Sequence, residues 1–339
     1  MSERKSILIV GVGSIGERHV RCFAATGRAN LSLCEVNPAL RAKIADRYGI
    51  ERAFSTIEEA LDAGPDAVVI CTPAHLHIPL AATAARVGAH LLIEKPLSTG
   101  FEGLDVLQEE CARRRLTAVV GYVYRAHPTL SAMREALRSG RFGEPVQIVA
   151  ECGQNLPFHR PAYRDTYYKD RATGGGAVQD ALTHIINLGE WLVGPIDRLV
   201  ADFDDLVIEG VNVEDTVHVI TRHGRVMGCF SLNQHQAPNA TTITVNCRRG
   251  TARFGLHENR WRWMTEPDGP WHEEAFGPLE RDTLFTLQAD AFLDAVNRLR
   301  PPLCTLADAA QTLRVNLAIL ASVAEGGWRS IHTAEAGDV

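Results

Sequence analysis

No two of the eight cysteines, at positions 22, 34, 71, 111, 152, 229, 247 and 304, stand in a C-x-x-C pair. That excludes a thioredoxin-type motif or a ribbon-like zinc site, and no metal is expected. So scattered a set reads as reduced, mostly buried thiols of a cytoplasmic protein rather than a disulfide scaffold. Long apolar runs are missing too. After the charged opening of residues 1–4, the run "ILIV" is cut short by glycine, so neither a signal peptide nor a membrane span is expected. The basic residues are dispersed and the net charge is -6. Without a cationic stripe interleaved with aromatics, a nucleic-acid partner is excluded. No repeat and no low-complexity linker interrupts the chain, so any domains are expected to pack closely.

What is present is ordinary globular material, 45% hydrophobic and 22% charged, in a chain of 339 residues that is long for one core. Two domains are the natural division, placed at 1–123 and 124–339. The first alternates β-rich runs ("SILIV", "LSLCEV", "AVVICT", "AHLLIE", "TAVVGYVY") with helical stretches such as "PALRAKIADRYG". Strands apolar on both faces and separated by helices imply a parallel sheet covered on each side, a doubly wound α/β domain. After "PTLSAMREALRSG" the texture changes. "PVQIVAECG", "DTVHVITRHG", "VMGCFSLNQ" and "TTITVNCRRGTARF" follow one another with short turns and suit an antiparallel or mixed sheet. Two helices, near 281–299 and 305–324, close the chain.

"ILIVGVGSIGERHV" sets Gly11, Gly13 and Gly16 directly after a strand and at the start of a helix. Gly11 allows a tight turn, Gly13 lets a pyrophosphate approach the backbone, and Gly16 lets helix and strand pack closely. Phosphates would meet the free amides around Ser14 and Ile15 and the positive end of the helix dipole. Glu35, 19 positions past Gly16, ends the second strand, where a carboxylate can accept both ribose hydroxyls. The same charge repels a 2′-phosphate, so NAD is favoured over NADP, although Arg41 could swing in to offset this.

Ligands of open parallel sheets bind beyond the carboxyl ends of the strands. There "AVVICTPAHLH" places Thr72, Pro73, His75 and His77, and "AHLLIEKPL" places Glu94, Lys95 and Pro96. His77 is expected to cap a helix or contact the cofactor, because the His75/His77 pair lacks a third ligand for a metal. Lys95 is positioned to reach both a cofactor ribose and a substrate hydroxyl.

The ordered series G-x-G-x-x-G, "TPAHLH", "GAHLLIEKP", "GYVYRAHP", "GRFGEP", "GGGAVQDALTH" and "VEDT" resembles the glucose–fructose oxidoreductase/inositol dehydrogenase/MocA family over nearly the whole chain. The resemblance implies a Rossmann domain followed by an α/β domain on a large, mostly antiparallel open sheet, which commonly joins subunits into a homodimer or homotetramer. It also implies a pyridine nucleotide and a sugar, cyclitol or related polyol. Lys95 matches the family's catalytic lysine, in a conformationally special turn with Pro96, and Asp180 and His184 match its substrate-facing pair.

Helical geometry bears on that pair independently. At roughly 100° per residue, Asp180 and His184 lie about 40° apart on one face. They share a narrow stripe with Asn187 and Trp191, nearly opposite an apolar stripe of Val178, Ala181, Leu182, Ile185, Leu188 and Leu192. A solvated polar face is the plain alternative, but Trp191 suits open water poorly, and the preceding glycines allow another group to approach closely. The chemistry expected is hydride transfer to nicotinamide from a secondary alcohol. His184 would be the general base, Asp180 the orienting group, and Lys95 the donor stabilising charge on the same oxygen.

Substrate contacts are expected from Arg125 and from the segment at 153–173, which carries Arg160, Tyr163, Arg164, Tyr167, Tyr168, Lys169 and Arg171. Gln234 and His235 near a strand end are weaker candidates. Clustered cations and aromatic faces suit an anionic sugar, though a solvated loop paired to Asp165 and Asp170 fits equally. Some family members acting on acidic or nucleotide-linked sugars carry a loop resembling "LP…RP…YR…Y", from which this one departs in places. Two rival activities stay open: NAD-dependent redox-assisted glycoside cleavage with a recycled cofactor, and non-catalytic NAD sensing.

Overall fold

The structure is a computed structural model, and it describes residues 4–331. All but the last residue of the charged opening at 1–4 lies outside them. The contacts divide the chain into one unit of residues 1–126 with 280–309, and a second of 127–279 with 310–339. Beside the expected cut between residues 123 and 124, the contacts place a late segment, 280–309, with the first unit.

The first unit is built on β1 (Lys5–Val10), β2 (Ala29–Cys34), β3 (Ala53–Phe54), β4 (Ala67–Ile70), β5 (His90–Ile93) and β6 (Ala118–Val120). These pair in the order β3-β2-β1-β4-β5-β6, every pairing parallel. Helices α1 (Ser14–Ala25), α2 (Pro38–Tyr48), α3 (Ile57–Asp62), α4 (His77–Arg86) and α5 (Leu104–Arg114) connect them. The order reverses at β1, so β1 and β4 frame the switch point where ligands of doubly wound sheets sit. The core is Ile7, Ile9, Leu33, Val69 and Leu92 from the strands with Val20 and Phe23 from α1. Ala289, Phe292, Leu293 and Val296 complete it. Those four lie on α9 (Thr283–Val296), whose apolar face gives it a reason to return here.

The second unit begins with α6 (Pro128–Arg138), β7 (Pro145–Gly153) and the short α7 (Leu156–His159). A string of short turns then leads into a π-helical turn, Val178–Leu182, and α8 (Thr183–Val193). Next come β8 (Arg198–Asp204), β9 (Thr216–His223), β10 (Val226–Asn233), β11 (Ala240–Cys247), β12 (Gly250–Gly255), β13 (Arg260–Met264) and β14 (His272–Ala275). After α10 (Leu306–Glu325), β15 (Arg329–Ser330) completes a nine-stranded sheet in the order β14-β13-β12-β11-β7-β10-β9-β8-β15. Only β7 and β10 pair in parallel among these strands; the rest are antiparallel. Burial alternates residue by residue along β9 and β10, as it does when helices cover one face of a sheet. Helix α8 lies so close that a Cβ at Gly189 would stand 2.7 Å from the Phe230 ring. Among the described residues no helix is long and apolar enough to cross a membrane.

Candidate active site

In the first unit the glycines act in three different ways. Gly11 adopts φ +78, and a Cβ there would stand 3.1 Å from the Cys71 carbonyl oxygen. A Cβ at Gly16 would stand 1.9 Å from the Gly11 oxygen, so α1 can lie this close to β1 only without a side chain. A Cβ at Gly13 would meet nothing within 4 Å. That open space borders the start of α1, at Ser14 and Ile15, where no side chain caps the helix. Uncapped amides and the dipole's positive end facing free space make an anion cradle.

Around the cradle, Glu35 accepts from the Val12 amide at 3.0 Å and from the Asn37 amide at 2.9 Å. Two hydrogen bonds leave an ionised carboxylate with further lone pairs for ribose hydroxyls. The Arg41 guanidinium donates to the Glu35 carbonyl at 2.6 Å. At the end of β4, the Thr72 hydroxyl is buried with no partner among the described residues, and Pro73 beside it is exposed. An orphaned buried hydroxyl next to Gly11 offers a ligand a hydrogen bond. Glycine turn, acid and hydroxyl together fit a dinucleotide.

His77, expected to cap a helix or contact the cofactor, and Glu94, expected at the cofactor, both bond groups of the protein. His77 is buried and both its ring nitrogens are engaged, Nδ1 with the Pro96 carbonyl at 2.9 Å and Nε2 with the Thr72 carbonyl at 2.8 Å. It braces the ends of two loops and has no ring nitrogen left for a ligand. Glu94 is also buried, 2.7 Å from His19 on α1. Burial raises its carboxyl, but the His19 hydrogen bond and charge, helped by Lys95, hold it below the ordinary value. Lys95 follows at the end of β5, half-buried, joined to Pro96 by a cis peptide. Arg125 is spent within this unit: it donates to the Leu303 carbonyl and pairs with Asp308, both at 3.1 Å.

In the second unit Glu214, from "VEDT", organises the turn that carries Asp180. Its buried carboxylate accepts from the Val178 amide at 3.0 Å and from Arg171 at 2.8 Å. Gly176, at φ +86, could not carry a Cβ, which would lie 2.5 Å from Glu214 Oε1. At Gly175 a Cβ would lie 2.2 Å from the Tyr168 carbonyl oxygen. The glycine run thus admits an acid and a loop backbone to the root of the helix.

Asp180 is buried in the π-turn, accepting from Arg160 at 3.1 Å and from the Tyr167 hydroxyl at 2.6 Å. The carboxylate raises the Arg160 pKa further, with burial opposing it. A π-turn advances less per residue than an α-helix, so Asp180 and His184 are more nearly eclipsed than a uniform 100° step implies. His184 is half-buried on the first turn of α8. The lower stripe is packed rather than solvated. Asn187 donates to Thr312 at 2.9 Å, and the Arg134 guanidinium lies 4.4 Å from the centre of the Trp191 ring.

Tyr163 and Tyr168, expected at the substrate, pack within the second unit. Both are buried in a small core with Leu156, Ile208, Val211 and Val213. The Tyr163 hydroxyl donates to the Glu209 carbonyl at 2.7 Å, and Tyr168 donates to Gln234, burial pushing its phenol well above the usual range. Gln234 is buried, and His235 bonds Thr216 at 3.0 Å. The tyrosine at the carboxylate is Tyr167. Sequence reasoning assigned no role to His19 or Glu214, although both lie inside quoted motifs.

A doubly wound sheet with an anion cradle, joined in sequence to an open-sheet domain bearing an acid–imidazole helix, defines a two-part dinucleotide-dependent class. Residues 5–122 match the oxidoreductase family with an NAD-binding Rossmann fold, and residues 130–253 match the GFO/IDH/MocA C-terminal domain. The chain belongs to the GFO/IDH/MocA oxidoreductase family and carries its NAD-binding domain. It is 27% identical to levoglucosan dehydrogenase of Pseudarthrobacter phenanthrenivorans over 55% of this chain and 50% of that protein. It is also 27% identical to UDP-N-acetylglucosamine 3-dehydrogenase of Acidithiobacillus ferrooxidans, over 87% of this chain and 90% of that one. Apart from that long match, the chain spans about half the length of the first curated relatives it matches. The WlbA dehydrogenase of Bordetella pertussis, solved with NADH and UDP-GlcNAcA, shares the fold. Its TM-score is 0.85 at 24% identity, over 98% of this chain and 99% of that one.

Proposed function

We propose that the protein is an NAD-dependent dehydrogenase or reductase acting on a secondary alcohol or ketone of a sugar, sugar acid or cyclitol. This reading assigns the chemistry to Lys95 of the first unit and to Asp180 and His184 of the second. The observation that carries this reading is the construction around Asp180. A buried carboxylate held by two donors sits one turn before a half-buried imidazole, on a helix whose root Glu214 and the glycine run build. Structural helices do not need that arrangement.

NAD, when bound, supplies the hydride acceptor. The chain's own residues handle the proton and the oxygen. His184 takes the hydroxyl proton in oxidation and returns it in reduction, since imidazole titrates nearest neutrality. Lys95 donates a hydrogen bond to the same oxygen and stabilises its developing negative charge. Asp180 orients the hydroxyl or the imidazole. Arg160 and Tyr167 extend the site toward a carboxylate- or phosphate-bearing sugar. The long match to a nucleotide-sugar dehydrogenase supports that class. In this reading the enzyme is cytoplasmic. It assembles as a homodimer or homotetramer through the open sheet face, where Ile220 and Met227 are about half exposed.

The test is nicotinamide absorbance with NAD and a panel of polyols, sugar acids and nucleotide sugars, and with NADH and the corresponding ketones. Turnover with net cofactor conversion supports the reading. Binding of NAD without conversion of any member of the panel would overturn it.

A further inference from the structure

The first unit contains a buried, hydrogen-bonded histidine–glutamate pair that the proposed chemistry does not use. His19 lies on α1 three residues past the glycine motif, is fully buried, and places Nε2 2.7 Å from Glu94 Oε1. The other carboxylate oxygen accepts from the Lys95 amide at 3.1 Å. The Glu94 amide donates to the Ile70 carbonyl at 2.9 Å, which anchors the same residue to the end of β4. Phe23 and Phe285 wall the imidazole, with ring centroids at 6.2 and 5.6 Å. Gly121 leaves room for the acid, since a Cβ there would lie 3.1 Å from Oε1.

A buried pair of this kind contributes little to stability, because apolar residues of similar volume usually serve as well. What distinguishes this one is its location. One end is on the helix whose uncapped start forms the anion cradle, and the other holds the peptide of Lys95. On the far side of that turn, His77 ties the Pro96 carbonyl to the end of β4. The lysine's backbone is therefore fixed from two sides, and the His19 side leads directly onto the phosphate-binding helix.

We propose that His19 and Glu94 are positioning residues whose pairing couples the seating of a dinucleotide on α1 to the placement of Lys95. The proposal deepens the reading above and rests on it for the lysine's role. The link itself is measurable without turnover.

The experiment compares the wild-type chain with His19→Leu/Glu94→Leu, His19→Gln and Glu94→Gln. Trace acetic anhydride labels Lys95 with and without saturating NADH, and peptide mass spectrometry reads the labelling rates. NADH affinity is followed by fluorescence and folding by thermal melting. NADH should slow Lys95 labelling in the wild type and in His19→Gln, whose amide nitrogen reaches the carboxylate as the imidazole does. In the apolar double variant, still folded and binding NADH, that protection should fall at least fivefold. Protection within twofold of wild type would overturn the proposal. If the double variant does not fold, Glu94→Gln carries the test on the same criteria. A Lys95→Ala enzyme that turned over normally would remove the lysine's catalytic role, while the labelling result would still decide the coupling.

Discussion

Arg160 places a guanidinium nitrogen 3.1 Å from one oxygen of Asp180 while the Tyr167 hydroxyl donates to the other at 2.6 Å. The Arg160 side chain is half exposed, so it can hold the acid and still present donors outward. A substrate hydroxyl reaching Asp180 therefore enters beside a cation. Substrates carrying a negative charge should depend on Arg160 more than neutral ones do. Arg160→Met is expected to lower kcat/KM about tenfold to a hundredfold for sugar acids or nucleotide sugars, and less than fivefold for neutral polyols. Steady-state kinetics on paired substrates checks this. Equal losses on both classes would confine Arg160 to holding Asp180.

His184 and Lys95 act on the reacting oxygen in the proposed mechanism, so removing either should strike the chemical step and spare cofactor binding. His184→Ala and Lys95→Ala are each expected to lower kcat by about two to four orders of magnitude. NADH affinity by fluorescence titration should stay within a few-fold. A variant within a few-fold of wild-type kcat would remove that residue from the mechanism.

Much of this was legible in the sequence, for physical reasons that also mark where it stopped. The parallel strands show as apolar runs because both faces are covered, and the glycine spacing reflects backbone contacts that any side chain would break. β3, two residues long, carries no pattern at all. α9 is legible as a helix, but its return to the first unit rests on contacts between Phe23 and Phe292, far apart in sequence. The π-turn is invisible to a fixed 100° step. Three tyrosines lie within six residues, and consecutive short 3-10 turns decide that Tyr167 meets Asp180 while Tyr163 and Tyr168 face a small core. Composition cannot rank them.

Cofactor choice turns on Glu35. Its side chain holds the Val12 and Asn37 amides, and Arg41 lies against its carbonyl. Glu35→Ser would remove the charge that repels a 2′-phosphate and leave the guanidinium nearby. The ratio of NADP to NAD affinity should rise about tenfold to a hundredfold, the range of a few kcal/mol for relief of like-charge contact. Parallel titrations with both cofactors measure it. An unchanged ratio would mean that Glu35 does not face the ribose.

Stability should fall on mild acidification. His127 is fully buried in a T-shaped contact with Phe254, with no partner at either ring nitrogen among the described residues, and burial pushes its pKa from 6.5 down to about 4. A depressed histidine binds its proton more readily unfolded than folded. Its stabilising contribution is present above pH 6.5 and is lost as pH falls from there toward 4. The loss reaches about 2 kcal/mol by pH 5. Burial moves His77 and His223 the same way, although backbone carbonyls oppose it at both. Melting at pH 8 and pH 5 should show the drop, and His127→Phe should shrink it. An identical drop in the variant would place the acid sensitivity elsewhere.

Gly13 and Gly16 should fail in different ways although three residues apart. An alanine methyl at Gly16 would lie 1.9 Å from the Gly11 oxygen, so α1 would have to move off β1. That forces a shift in a packed core and costs about 1–3 kcal/mol or more. At Gly13 the backbone is at φ -61 and ψ -166, open to any residue, and the added methyl meets nothing within 4 Å. Gly13→Ala should therefore melt within a degree or two of wild type, yet lose at least tenfold in NADH affinity, because the methyl takes the space the pyrophosphate needs. Gly16→Ala should lose melting temperature first, and cofactor affinity as a consequence. If Gly13→Ala bound NADH as tightly as wild type, the open space before α1 would not be the phosphate site, and the cofactor would have to be seated elsewhere on the sheet edge.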